Sequence, residues 1–391
     1  MKYKKTLPVL ALFIFLCSFA HSSPLYSPSW GFALDLPDDY EYIDGDSRDR
    51  FSFITADGAH LDIVVYPAEG NRALYSSVRE MALDAQQRIR SAGDTSFFEY
   101  RNKEAAILEL IFPNPGGSGN ARMAGWGIGL ELETDNPEDR GPLLLALAYG
   151  PGERSDLFAL HLSVLDSFAP GEAYRRFPGP VTEFTYPRET RIRLPIWGLD
   201  EEALFYDIDM EAAQDFIERE FNVFLRYAFS PLWEEAWIRY YRAIYRDSFE
   251  RLKDAAFVIE RSMNLNSPDN REFAGRVLEW IQSFEYERDV SGSDFLNLTS
   301  AVLEGRGDCD SRAMLWALIL NQANIPAAMM VSSEYSHAMG LADIPGPGAR
   351  FDFADRTWLV AETTAEVSIG LIWEDISDIS GWIGIILDRI D

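Results

Sequence analysis

Gly305-Arg-Gly-Asp-Cys309-Asp-Ser-Arg-Ala-Met-Leu-Trp316 holds one of the two cysteines in the 391-residue chain; the other, Cys17, lies in an apolar N-terminal stretch. Gly305 and Gly307 permit a tight turn and close backbone approach. Asp308 fits a helix N-cap, and Ala313, Trp316, Ala317 and Leu320 recur at helical spacing as a buried face. Cys309 is therefore expected at a helix N-terminus, where free N–H groups and the macrodipole favour thiolate over thiol. Asp308 and Asp310 oppose that effect, so a paired imidazolium is needed, and His337 is the one histidine in the C-terminal half. A lone thiol closes no disulfide within the mature chain and is too few for a zinc cluster. With a histidine and an acid downstream, it outlines a thiol nucleophile site.

Downstream, Ile325 to Val331 reads as a buried strand, His337-Ala-Met-Gly opens a second and Trp358 to Glu362 forms a third. Adjacent antiparallel strands would align Glu362 with the His337 ring nitrogen facing away from sulfur, fixing the tautomer and stabilising the cation. N–H groups at the helix start are expected to bind an oxyanion. Asp352 and Asp355 are rival third members. Upstream, Val277 to Asp289 reads as an amphipathic helix running into an acidic turn. A metal on Cys309, His337 and an acid would have few soft ligands and no short ligand spacing. No metal and no cofactor is expected.

Gly307-Asp308-Cys309, Asn324-Ile325-Pro326-Ala327, His337-Ala338 and Glu362-Thr363-Thr364 together resemble the transglutaminase-like superfamily, in its bacterial branch of exported papain-like thiol enzymes. The resemblance spans roughly Phe273 to Ala365, about a quarter of the chain. It implies Cys309 as nucleophile, His337 as general base and acid, and Glu362 as orienting carboxylate. Gln282 and Tyr286 are its candidates for the aromatic or amide group presented to the oxyanion. Glu362-Thr-Thr stands where the family commonly has Asp-Pro-Thr, so the longer acid must reach from a different backbone position. The implied activity is acyl transfer or hydrolysis at protein or peptide amides of the cell envelope. Hydrolysis is favoured over cross-linking, since nothing marks an amine-acceptor site. Such scaffolds also serve as binding modules, so a non-catalytic envelope interaction protein is the alternative.

Residues 1–22 read as a secretory signal: Lys2, Lys4 and Lys5, an apolar run from Leu7 to Ala20, and a small-residue cleavage site. An uncleaved anchor and lipidation at Cys17 are the other readings, so the product is expected to be periplasmic or extracellular, with no later membrane span. Without the leader's three lysines, 32 basic residues face 63 acidic ones, a formal charge of −31. Such a field repels nucleic acid. A hydrophobic fraction of 47% excludes a disordered chain. Oligomeric state is left open.

The expected fold is α+β. Residues 24–170 alternate as an N-terminal antiparallel α/β sandwich of unassigned role, with an Asp57-Gly58 hairpin signal and helices near 76–91 and 157–167. His60 and His161 are expected to be packed or exposed rather than functional. Residues 171–209 read as a linker rich in Pro, Gly and Arg, and 210–268 as an aromatic-rich helical connector. Asp209 is expected to cap its first helix with Glu211 in the first turn. The resemblance implies that residues 269–391 form a transglutaminase-like (papain-like) cysteine domain.

Overall fold

The computed structural model describes residues 24–46, 48–114, 121–136, 139–264, 269–288 and 292–387. The leader and Cys17 lie outside them. No helix among the described residues is long and apolar enough to cross a membrane.

A short ladder pairs β1 (Leu25–Tyr26) with β2 (Ala33–Leu34). Next come β3 (Glu41–Gly45), β4 (Arg50–Ile54), β5 (His60–Tyr66), α1 (Val78–Ile89), β6 (Thr95–Tyr100), β7 (Lys103–Pro113), β8 (Arg122–Glu131), β9 (Leu143–Pro151) and α2 (Phe158–Asp166). Strands β3 to β9 form one antiparallel sheet of order β3-β4-β5-β9-β8-β7-β6. The run Leu143 to Ala148 is apolar at every position because both faces of β9 are covered. Leu143 and Leu145 pack with Val78, Met81 and Ala82 of α1, whereas Leu144, Ala146 and Ala148 pack with Leu160 and Val164 of α2. The period of two along a strand makes that division.

Residues 171–209 are structured. They hold α3 (Pro180–Thr185) and a hairpin of β10 (Arg191–Pro195) with β11 (Glu202–Tyr206). Ile196, Ala203 and Phe205 are buried in the same core as the C-terminal residues. Four helices follow: α4 (Asp209–Leu225), α5 (Trp233–Arg251), α6 (Lys253–Asn264) and α7 (Asn270–Gln282). Helix α4 serves both cores, with Phe216 and Ile217 in the C-terminal one and Val223 in the N-terminal one. Asp209 departs from the cap expected of it. Ile208 holds the cap position, with no side-chain cap bond. Asp209 instead is 1% exposed and binds Arg251 at 2.7 Å and the Tyr206 N–H at 2.8 Å. A buried carboxylate needs a cation more than a helix end needs a cap.

The C-terminal part contains β12 (Glu285–Tyr286), α8 (Leu298–Glu304), β13 (Arg306–Gly307), α9 (Cys309–Gln322), β14 (Ala327–Ser332), β15 (His337–Ala342), β16 (Arg350–Phe353), β17 (Arg356–Ala361) and β18 (Ile383–Ile385). The last five strands make an antiparallel sheet of order β16-β17-β15-β14-β18. Met329, Val331, Ala338 and Ala361 face the core that contains α9, and Met330, Met339, Leu341 and Val360 line the opposite face. Helix α9 is buried almost all round rather than on one face, because α6, α7 and α8 pack against it as well as the sheet. Gly340 lets it approach: a Cβ there would stand 2.5 Å from the Trp316 ring.

Candidate active site around Cys309

Cys309 is the first residue of α9. Asp308 caps that helix, its Oδ1 accepting the Ser311 N–H at 2.7 Å and also the Ser311 hydroxyl. The approach to the cap is fixed by Gly305, which ends α8 at φ 64 where a Cβ would strike the Trp197 ring. Strand β12 pairs in parallel with β13, matching Tyr286 to Gly307. Arg312, 1% exposed, ties the two strands by donating to the carbonyls of Gly307 and Phe284, and its guanidinium lies 5.4 Å from the Tyr286 ring.

This frame delivers three groups to the sulfur. Tyr286 and the backbone N–H of Ala338 act on Sγ as neighbours that favour its anion, and the thiol donates to Asp310 Oδ1 at 3.7 Å. Ala338 follows His337 at the start of β15, so the sulfur sits one residue from the imidazole. Cys309 is 8% exposed. Burial pushes its thiol well up, and the charges of Asp310 and Asp308 push it further, outweighing the bonds from Ala338 and Tyr286. Burial first, and then the two aspartates, thus oppose the helix terminus and disfavour the thiolate.

The aspartates feel the same crowding. Burial and Asp310 hold the Asp308 carboxyl well above the usual range. Burial also raises Asp310, against bonds from the Tyr241 hydroxyl and the Cys309 thiol that favour its ionised form. The Tyr286 hydroxyl is pushed up to about 12, first by burial and then by the neighbouring Cys309.

His337 Nε2 lies 2.8 Å from Glu362 Oε2. Glu362 is 1% exposed, and its other oxygen accepts the Thr364 N–H at 2.8 Å and the Thr364 hydroxyl at 2.6 Å. Burial raises its carboxyl, but the His337 contact and the two Thr364 bonds overcome that, so it is held below the usual carboxylate range. The contact follows from the sheet order: β15 pairs with β17 through Gly340–Ala361, leaving Glu362 just beyond the ladder. Thr364 sits in the turn that receives the longer acid.

Gln282 is placed differently from Tyr286. Its Nε2 donates to the backbone carbonyls of Glu362 at 2.7 Å and Val367 at 2.9 Å, so both amide hydrogens clamp the turn behind Glu362. Asp352 is exposed and bound to the Thr357 hydroxyl. Asp355 is exposed in the β16–β17 turn at φ 58. Two neighbours escaped sequence reasoning. Tyr241, on α5 and 1% exposed, reaches Asp310 through tertiary packing. Trp382 lies edge-on to His337, with ring centroids 6.2 Å apart. No short-range pattern marks either one.

No known family pattern and no curated protein matches the chain. Solved structures do resemble it. A Bacteroides thetaiotaomicron protein is 10% identical over 84% of this chain and 88% of its own, with a TM-score of 0.26. A candidate cysteine protease from Cytophaga hutchinsonii is 11% identical over 85% of this chain and 77% of its own, at TM-score 0.24. A candidate protease from Parabacteroides distasonis is 11% identical over 71% of this chain and 40% of its own, at TM-score 0.22. The likeness is weak in both sequence and structure.

Proposed function

We propose that the chain is an exported, transglutaminase-like cysteine enzyme that cleaves or transfers acyl groups at protein or peptide amides through Cys309, His337 and Glu362. The observation that carries the reading is the buried Glu362 carboxylate 2.8 Å from His337 Nε2, with the N–H of the next residue, Ala338, among the groups that act on the sulfur. Glu362 then holds the proton on Nε2 and leaves Nδ1 as the base. In the first step the sulfur forms a bond to the amide carbon while its proton passes to Nδ1. The tetrahedral oxyanion forms beside the α9 N-terminus and the Tyr286 hydroxyl. Collapse breaks the C–N bond as Nδ1 returns the proton to the departing amine, leaving a thioester. Water, giving up a proton to Nδ1, attacks the thioester and frees the acid and the thiol. The strongly acidic chain favours basic substrates.

The second reading is a non-catalytic envelope interaction protein, favoured by one observation: the thiol is buried and flanked by two carboxylates that disfavour its anion. The pH dependence of Cys309 alkylation separates the two. A base-assisted thiol gives an inflection below the ordinary thiol range that vanishes in His337→Ala. An inflection at or above the ordinary thiol value of ~8.5 in both proteins would overturn the enzyme reading.

A further inference from the structure

A cleft of about 690 Å³ lies between the β6–β7 turn, the β10–β11 hairpin and α6, and shares no residue with the Cys309 site. Its volume is that of a small-ligand site, for which roughly 300–1,000 Å³ is usual. Across the chain, 63 acidic residues outnumber 35 basic ones. In this wall the two signs are nearly even, with five basic residues and four acidic.

The basic side chains are ordered by aromatic rings. The Arg101 guanidinium stands 4.6 Å from the Phe177 centroid, and Arg188 stands 4.4 Å from the same ring. Arg188 and Arg191 each lie 5.2 Å from the Tyr206 centroid. The result is a ladder of alternating guanidinium and ring. Its middle rung, Arg188, is nearly buried and bound to Glu183 at 2.7 Å, which makes it structural. The outer rungs are different. Among the described residues neither Arg101 nor Arg191 is paired with a carboxylate: Arg101 donates to the Ala173 carbonyl and Arg191 to the Tyr206 hydroxyl. Stacking on a ring fixes the plane of a guanidinium without using its in-plane N–H donors.

The acids of the wall do not satisfy these forks. Asp209 is taken by Arg251 and the Tyr206 N–H, Asp254 accepts the Leu204 N–H, Glu250 meets Lys253 at 3.5 Å, and among the described residues Glu260 pairs with neither Arg101 nor Arg191. Arg101 is also rigidly mounted, since it and Asn102 form the β6–β7 turn at φ 50 and 66. Phe257, 61% exposed, adds an apolar surface at the cleft.

We infer that this cleft binds a small ligand bearing an oxyanion, phosphate or carboxylate, gripped by Arg101 and Arg191, with its apolar part against Phe257. Planar forks of this kind recognise both anions through paired N–H···O bonds. The proposal does not depend on the chemistry of Cys309.

Isothermal titration of the full chain at low salt, with pyrophosphate in one arm and citrate in the other, tests it. At least one anion should bind saturably, and binding should weaken as salt is raised. Affinity should fall about tenfold or more in Arg101→Gln/Arg191→Gln. Arg193→Gln, on the same strand but outside the cleft, should bind like wild type. The arm that binds identifies the phosphate or the carboxylate source. Unchanged thermal melting of the double variant shows that it folds; if it melts early, the two single variants carry the comparison. Absence of saturation by both anions at millimolar concentration, or equal loss in Arg193→Gln, overturns the assignment.

Discussion

Replacing Asp310 by asparagine removes a carboxylate 3.7 Å from the Cys309 sulfur and keeps an oxygen that can accept from the Tyr241 hydroxyl. At an effective dielectric of about 20, a unit charge at that separation opposes a thiolate by about 4 kcal/mol. With 1.36 kcal/mol per decade, this bounds the gain at about a thousandfold in thiolate population. Burial raises the Asp310 carboxyl itself, so its charge is less than complete and the gain lies below the bound. Alkylation of Cys309 by iodoacetamide at pH 7 should therefore accelerate about 10- to 1000-fold in Asp310→Asn. Rates followed by intact mass from pH 5 to 10 give the whole profile. The same substitution in a His337→Ala background locates the effect, because His337 also feels Asp310. A gain that persists there acts on sulfur directly, whereas one that disappears acts through the imidazole. A folded Asp310→Asn protein that alkylates no faster than wild type would refute the claim that this carboxylate holds the thiol protonated.

Glu362→Gln should slow acylation of Cys309 by an activated ester about 10- to 150-fold, the loss of one charge-assisted hydrogen bond of ~1.5–3 kcal/mol to the imidazolium. The same carboxyl is held low in the folded state, so its stabilisation is complete above the unfolded carboxyl range near ~4.3 and is lost as pH falls through the folded value. Thermal melts of wild type and Glu362→Gln should accordingly differ at pH 6 and converge toward pH 3. Arg251→Met leaves the buried Asp209 and Asp247 without their shared cation, and urea unfolding should register a loss of about 3–5 kcal/mol. Gly340→Ala places a Cβ 2.5 Å from the Trp316 ring. It should cost about 1–3 kcal/mol in urea unfolding, shift tryptophan fluorescence and slow acylation by moving the helix that carries Cys309.

What the sequence disclosed was carried by short-range signals. Gly305, Gly307 and Asp308 define a helix start within a few residues, and the apolar runs at 325–331 and 358–361 mark buried strands. What it concealed depends on tertiary packing. Asp209 looked like a cap until burial required Arg251 beside it, and Gln282 looked like an oxyanion donor although the turn behind Glu362 uses its amide hydrogens. The Pro-rich stretch 171–209 gave no hint that Ile196 and Phe205 complete the C-terminal core. Tyr241 lies too far from Asp310 in sequence for any periodic pattern to connect them. This last omission matters most for the chemistry. A helix terminus alone argues for a preformed thiolate, but the folded site surrounds the sulfur with burial, Asp308 and Asp310. Under the proposed acyl-transfer reading, burial and the two carboxylates disfavour the anion before substrate arrives, and charge develops as the proton moves to the imidazole. The buried Glu362 is then placed where it stabilises that transient cation rather than a resting ion pair.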